Sequence, residues 1–139
     1  MKNELRENIA KFIFGGDAMF TILSDNHAAT YHIRMKKTKD GSKVFQCCVR
    51  RSNQETYFGY LKVVENVLTF RHNGKFGVPE NSPDVSLLLS VIHQRNNLPE
   101  HTHFLHSGRC ARCGRPLTDV KSIELGFGPD CCKKAGVSL

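Results

Sequence analysis

Apolar and polar residues alternate along much of the segment 19–71, with the period of two that is typical of strands buried on one face. Around Ile33, for example, the polar residues His32 and Arg34 separate the apolar ones. Short polar stretches such as 39–42 interrupt the alternation and are typical of hairpin turns. The pattern predicts an antiparallel meander of short strands at 19–23, 31–36, 45–50, 57–64 and 67–71.

Two segments show the spacing of an amphipathic helix instead. In the segment 3–14 apolar residues recur at helical spacing until Gly15 ends the pattern. Ser82 and Pro83 are typical of an N-cap and a first helical residue, and we expect the helix that they begin to end near residues 96–97. A small antiparallel sheet with flanking helices belongs to the α+β class.

The composition is that of a globular protein, with 40% hydrophobic and 24% charged residues. No apolar run approaches the roughly 20 residues that cross a bilayer, and the first residues are charged, unlike a secretory signal. We therefore expect a cytoplasmic protein with no membrane partner. The formal net charge of +7 favours polyanionic partners such as nucleic acid.

The six cysteines fall into three close pairs, and metal ligation or burial explains them better than disulfides in a cytoplasmic chain. Cys110 and Cys113 belong to a Cys-x-x-Cys-Gly knuckle, in which the glycine lets backbone amides face the sulfurs. Cys131 follows Gly128 and Pro129, the expected start of a helix whose dipole favours a thiolate. The spacing predicts a structural Zn²⁺ site in a treble-clef-like module.

The sequence leaves several residues open as the fourth zinc ligand. His106 precedes Cys110 closely enough to fold back onto the ion, and we predict it as the ligand. Cys132 is an alternative, although neighbouring helix residues point about 100° apart. His101, His103 or water would otherwise complete the site.

The run 108–131 combines the knuckle, an Arg-Pro-Leu-Thr-Asp stretch at 115–119 and a Gly-Phe-Gly-Pro-x-Cys ending. It resembles a family of small uncharacterised zinc-binding proteins that are common in phages, plasmids and mobile regions of bacterial genomes. The segments 20–33 and 57–61 resemble the β-rich part that often precedes this zinc module. The resemblance implies zinc binding and a mobile-element origin, and it implies no known reaction.

These predictions divide the chain into a β-rich α+β domain at 1–97, a polar, histidine-rich bridge at 98–107 and a zinc-binding module at 108–139. A module this small cannot bury enough apolar surface to fold without its metal. We therefore expect Cys113→Ser to unfold the module and to leave the β-rich region folded.

Basic residues alternate with Tyr57 and Tyr60 on the predicted sheet, and others surround the knuckle. Such surfaces stack bases and contact phosphate. We predict non-enzymatic binding of nucleic acid or a nucleoprotein complex through Arg34, Lys36, Arg50, Lys62, Arg71, Arg112 and Arg115. The alternative is a protein-binding inhibitor of a host defence complex, an anti-CRISPR-like effector, which a mobile-element origin favours. The sequence has no Gly-rich phosphate loop and no catalytic triad of recognisable spacing, so we expect no enzymatic activity.

Overall fold

The computed structural model describes residues 3–74 and 78–136 of the 139-residue chain. Within these ranges the strands are β1 (Glu4–Leu5), β2 (Asp17–Leu23), β3 (Ala28–Lys37), β4 (Lys43–Arg51), β5 (Gln54–Val64), β6 (Val67–His72) and β7 (His103–His106). The helices are α1 (Ile9–Ile13), α2 (Pro83–His93), α3 (Val120–Leu125) and α4 (Pro129–Ala135). None of these described helices is long and apolar enough to cross a bilayer.

The predicted meander is confirmed, because β2 to β6 lie side by side in chain order and each strand is antiparallel to the next. Two of its hairpins turn on pairs of residues with positive φ. These are Ser52 and Asn53 (51° and 67°) between β4 and β5, and Glu65 and Asn66 (51° and 65°) between β5 and β6. Turns of this type match the right-handed twist of the flanking strands, so they close the hairpins without splaying them.

The structure differs from the sequence prediction where the N-terminal strand β1 meets the predicted bridge. Within the predicted bridge 98–107, β7 pairs with both β1 and β2, and the sheet order is β1-β7-β2-β3-β4-β5-β6. β1 in turn replaces the start of the predicted helix 3–14, of which only α1 forms. A strand of four residues shows too little alternation to be distinguished from a loop, and its partners are distant in sequence. The predicted boundaries between the β-rich domain, the bridge and the zinc-binding module stay a prediction.

Helices and residues 108–136, which we call the C-terminal segment, cover one face of the sheet and form a hydrophobic core with it. Phe12 of α1 lies in the middle of this core. The centroid of its ring is 5.6 Å from that of Phe104 in β7 and 6.2 Å from that of Phe20 in β2. The ring of Phe127, just before α4, lies 6.0 Å away on the same measure. All four rings are fully buried, as is Cys132 in α4. The C-terminal segment and the sheet therefore share one hydrophobic core.

α2 begins as the sequence predicts, and a buried carboxylate fixes it to the sheet. The side chain of Ser82 accepts a hydrogen bond at 3.4 Å from the amide three residues further on. Asp84, only 2% exposed, pairs with Arg51 at the end of β4 and lies 2.6 Å from His27 Nε2. The Tyr31 hydroxyl donates to the Asp84 carbonyl at 2.5 Å. Burial, reinforced by the Asp84 charge, raises the pKa of Tyr31 and keeps this donor protonated.

Candidate functional site

The side chains of Cys110, Cys113 and Cys131 come together although two separate segments supply them. Their sulfur atoms all lie within 4.8 Å of one another. Tetrahedral Zn–S bonds of about 2.3 Å place sulfurs roughly 3.8 Å apart, so an ion fits among these three after a small adjustment. The predicted convergence is confirmed, and the three cysteines lie close enough to hold a metal ion.

A tight turn places Cys110 and Cys113 on the same side of the chain. Gly114 has a φ of +77°, and its amide donates to the Cys110 carbonyl at 2.9 Å. This left-handed backbone disfavours any side chain, which explains the glycine after the second cysteine. The amides of Arg112 and Gly128 each donate to Cys110 Sγ at 3.4 Å. The most buried sulfur of the group is thus surrounded by hydrogen-bond donors.

The first turn of α4 supplies the third sulfur. Gly128 is the N-cap and Pro129 the first helical residue, as the sequence predicts. Cys131 follows in the first turn, and Arg112 Nη1 lies 3.9 Å from its Sγ. A cation from the knuckle therefore faces the Cys131 thiol, whereas the amide at the helix start donates to Cys110.

The thiols of the group influence one another. Burial raises the pKa of Cys110, but hydrogen bonds from three backbone amides, led by that of Gly128, outweigh burial and lower the pKa below its usual value. Burial and the two neighbouring sulfurs raise the pKa of Cys131, although Arg112 opposes them. A divalent cation removes this mutual repulsion because it attracts every thiolate. The donor set fits a cation that prefers sulfur ligands.

His106, the predicted fourth ligand, does not belong to this group. It is 3% exposed, its Nε2 donates to the Ile123 carbonyl, and its Nδ1 accepts from the Gly108 amide at 2.9 Å. Burial lowers the pKa of His106 despite the bond to Ile123, which favours the neutral ring. Both ring nitrogens are engaged by the backbone, so the structure does not bring His106 to the sulfurs.

The other predicted alternatives also lie elsewhere. Cys132 is buried in the shared core, as expected for a residue that points away from its neighbour Cys131 on a helix. His103 Nδ1 lies 2.7 Å from Glu4 Oε2, and this hydrogen bond lowers the pKa of Glu4. His101 is exposed. Across residues 3–74 and 78–136, the three sulfurs are the one group of potential ligands with metal-binding spacing.

Residues 100–136 match a family of unknown function, DUF6011. No curated protein and no solved structure matches the chain significantly. The matched range contains β7, α3, α4 and all three cysteines. The expectation of an uncharacterised family is confirmed for this segment, and the mobile-element origin stays a prediction.

The knuckle lies directly against the start of β2. The Asp17 amide donates to the Ala111 carbonyl at 2.7 Å. A methyl group added to Gly114 would lie 2.6 Å from Asp17 Oδ2, and one added to Gly15 would lie 2.8 Å from the Ala111 carbonyl oxygen. Glycine at both positions lets the knuckle and the sheet approach backbone to backbone.

Gly114→Ala is therefore expected to destabilise the protein more than a positive φ alone would. The left-handed backbone costs about 1–2 kcal/mol for any residue with a Cβ, and the added methyl would also displace the Asp17 carboxylate that bonds His32. Gly41→Ala is the matched control, because Gly41 also has a positive φ (+86°) but no atom within 4 Å of the added methyl. Urea unfolding of both variants measures the difference, and equal losses would show that the contact with Asp17 has no energetic weight.

The basic residues predicted on the sheet share the face opposite the core, which we call the open face. A row of paired residues crosses four strands through Arg34, Gln46, Tyr60 and Arg71. Directly paired residues point to the same side of a sheet. The remaining three predicted residues stand two or four positions along a strand from this row, and they are Lys36, Arg50 and Lys62.

Arg112 and Arg115 lie at the candidate metal centre instead of in this row. Arg112 is exposed beside Cys131, and Arg115 borders the same cavity as the three cysteines. Part of their positive charge therefore offsets the negative charge of the thiolates and is not available to a nucleic-acid partner.

An acidic network that the sequence analysis missed interrupts the open face. His32 lies between two carboxylates, because its Nε2 bonds Asp17 and its Nδ1 lies 2.5 Å from Glu55 Oε1. Glu55 also pairs with Arg34, and Arg50 lies 3.6 Å away. Burial raises the pKa of Glu55, but the hydrogen bond from His32 and the arginine charges outweigh it and lower the pKa. Arg34 and Arg50 are therefore partly neutralised by this ionised carboxylate.

Proposed function

We propose that the protein is a non-enzymatic zinc protein that binds nucleic acid, alone or within a nucleoprotein complex, through the open face of its sheet. The metal would be Zn²⁺ in a treble-clef-like module, in which a knuckle and a helix start supply thiolates. Sulfur ligands on a tight turn and a short helix support this identity. The zinc would stabilise the fold, and the sheet would bind the partner.

The observation that carries the proposal is the alignment of basic and aromatic residues on the open face. Tyr57 is 38% exposed and lies opposite Cys48, next to the row that contains Tyr60. Exposed rings on an antiparallel sheet stack the bases of a single strand, while basic side chains between them contact its phosphates. The chain's net charge of +7 favours the same partner at long range.

The acidic network decides which cations contribute most to the proposed interface. Arg34 and Arg50 face Glu55, so their charges are partly used within the protein. Lys62 stands seven residues further along β5 than Glu55, and Arg71 on β6 pairs with Tyr60, towards the same end of the strand as Lys62. We infer that Lys62 and Arg71 provide the main phosphate contacts.

Lys62→Ala and Arg71→Ala are expected to weaken binding of a labelled single-stranded oligonucleotide, measured by fluorescence anisotropy at several salt concentrations. Each lost contact should reduce the slope of log K against log salt by about 0.7. Lys121→Ala is the matched control, because Lys121 is an exposed lysine on α3, outside the sheet. The control should bind as the unaltered protein does.

Two results would contradict the proposal. One is the absence of any oligonucleotide binding at low salt, with single-stranded DNA and RNA both tested. The other is an equal loss of affinity in all three variants, which would indicate a diffuse charge effect with no defined face. Affinity capture of a host protein that survives nuclease treatment would then favour the predicted alternative, a protein-binding inhibitor of host defence.

A further inference from the structure

The strand β6 lies at one end of the sheet, and in the part of the chain that the structure describes only β5 pairs with it. In an antiparallel pair, alternate residues direct their backbone N–H and C=O groups towards the partner strand and the others direct them away. The Asn73 amide donates to the Phe58 carbonyl at 3.0 Å, which continues the β5–β6 register and fixes this alternation. The backbone groups of Leu68 and Phe70 therefore point away from β5, towards the outer edge of the sheet.

An apolar cavity lies beside this outer edge, on the core side of the sheet. Phe70 pairs with the buried Leu61, so the side chains of Phe70 and Leu68 lie on that side, where both are partly buried. They line a cavity of about 180 Å³ together with Leu89 and Ile92 of α2. A peptide that pairs with such an edge gains main-chain hydrogen bonds, and the cavity selects its alternate side chains.

β6 lacks the features by which edge strands usually prevent further pairing. It has no proline, and its register with β5 shows no bulge. Its Arg71 pairs with Tyr60 and lies on the open face, so no charge points to the core side at this position. Within residues 3–74 and 78–136 no strand covers the outer edge, which is therefore able to accept one.

The charge around the cavity indicates what kind of strand fits. Arg95 lines the cavity, and its Nη1 donates to the Ile92 carbonyl at 2.8 Å, which leaves further N–H groups of the guanidinium to bind a partner. No Asp or Glu among the described residues lines the cavity, and Glu65, in the turn before β6, is exposed outside it. A carboxylate therefore complements this wall.

Two other occupants fit the edge less well. A second copy of the chain would bring a further net charge of +7 against an edge whose own Arg71 and Arg95 are basic. Nucleic acid has no regularly spaced amide groups that could pair with a strand. An acidic peptide meets the free backbone groups, the apolar cavity and Arg95 together.

We propose that the outer edge of β6 binds an extended acidic segment of a partner protein, which adds to the sheet as a further strand. The segment would bond the backbone groups of Leu68 and Phe70 and place two apolar side chains, two residues apart, over the cavity. An acidic side chain of the segment would pair with Arg95. This site goes beyond the proposed function, because the nucleic acid would occupy the open face and the peptide the edge and the core side.

Selection of a displayed library of random octapeptides on the purified full chain tests the proposal. The enriched peptides are expected to combine a net negative charge with apolar residues at alternate positions. No enrichment above background, or enrichment of peptides without this alternation or of basic ones, would overturn the proposal. Binding of a labelled oligonucleotide is measured separately, so the proposed function and the peptide site can fail independently.

Backbone methylation tests whether the peptide pairs as a strand. Each amide of one selected peptide is methylated in turn, and the affinity is measured by fluorescence anisotropy. Methylation at alternate amides should weaken binding about tenfold, since each removes one main-chain hydrogen bond, and methylation at the intervening amides should not. Equal effects at all positions would overturn the proposed pairing.

Leu68→Pro removes a backbone donor that faces the outer edge and that β5 does not use, so the fold should tolerate it as edge strands usually do. It is expected to abolish peptide binding and to keep both the circular dichroism and the oligonucleotide binding of the unaltered protein. Leu68→Ala is the matched control, because it shortens the same side chain but retains the amide, and it should bind the peptide more tightly than Leu68→Pro. Equal peptide binding by the two folded variants would overturn the proposal, and the methylation series decides if Leu68→Pro does not fold.

Arg95→Ala tests the charge preference. It should weaken binding of the selected acidic peptide about two- to fivefold, as expected for a partly exposed ion pair, and Lys121→Ala should not weaken it. Equal losses in both variants would overturn the role of Arg95. A concentration-dependent dimer that Leu68→Pro abolishes and that excludes the peptide would overturn the proposal in favour of a second copy at this edge.

Discussion

Removing the proposed Zn²⁺ is expected to lower the thermal stability of the whole fold and not only that of the C-terminal segment. Phe127 and Cys132 lie in the same core as the sheet, and β7 is inserted between β1 and β2. If the C-terminal segment unfolds when it loses its metal, the apolar side chains with which it covers the sheet become exposed. We expect one cooperative transition, in place of the local unfolding that the sequence suggests for Cys113→Ser.

The size of the effect follows from mass action. A metal present at a thousand times its dissociation constant stabilises the folded state by about 4 kcal/mol. For a chain of this length, that free energy corresponds to a fall in Tm of about 10–20 °C. Circular dichroism in the far and near ultraviolet, with and without a chelator, measures whether backbone and aromatic signals change together.

Cys131→Ser should reproduce the effect of the chelator, and Cys48→Ser is its matched control. Cys48 is partly exposed on the open face and lies outside the sulfur group. The control should retain one equivalent of zinc and a Tm close to that of the unaltered protein. A Cys131→Ser variant that melts in two steps, with the sheet signal at its original Tm, would contradict the shared core.

Local patterns were sufficient to predict most of the meander. Alternation between apolar and polar residues gave the strands, and residues tolerant of positive φ, such as Asn53 and Asn66, close two hairpins. The Ser82 cap and the Gly114 turn were also predictable, because each depends on a few neighbouring residues. All of these features depend on interactions between residues that are only a few positions apart in the sequence.

Features that depend on distant residues could not be predicted in the same way. His32 bonds Asp17 and Glu55 because the register aligns the four strands β2 to β5, and no local signal shows that register. His106 could not be placed either, because it lies in the four-residue strand β7, where only the structure shows that Phe104 and His106 occupy alternate, buried positions. Sequence proximity to Cys110 favoured a ligand, whereas the strand turns the ring into the core.

Phe12 joins the sheet to the C-terminal segment, because its ring packs against both Phe104 and Phe127. Phe12→Ala is expected to destabilise the protein by about 3–5 kcal/mol, because the ring is fully buried and its removal leaves a cavity in the core. Gly126 is positioned so that even one added methyl group would lie 2.6 Å from this ring, which indicates how closely the segment packs.

Phe14→Ala is the matched control, because Phe14 follows the same helix but is only partly buried and packs against Phe45, with ring centroids 4.9 Å apart. Its loss should cost about 1–2 kcal/mol. Urea unfolding gives both values, and competition with a chromophoric chelator gives the zinc affinity of each variant. Since folding of the segment and metal binding are coupled, Phe12→Ala should also weaken zinc binding, whereas Phe14→Ala should not. Unchanged zinc affinity in Phe12→Ala, together with the full loss of stability, would show that the metal-binding segment folds independently of the core beneath the sheet.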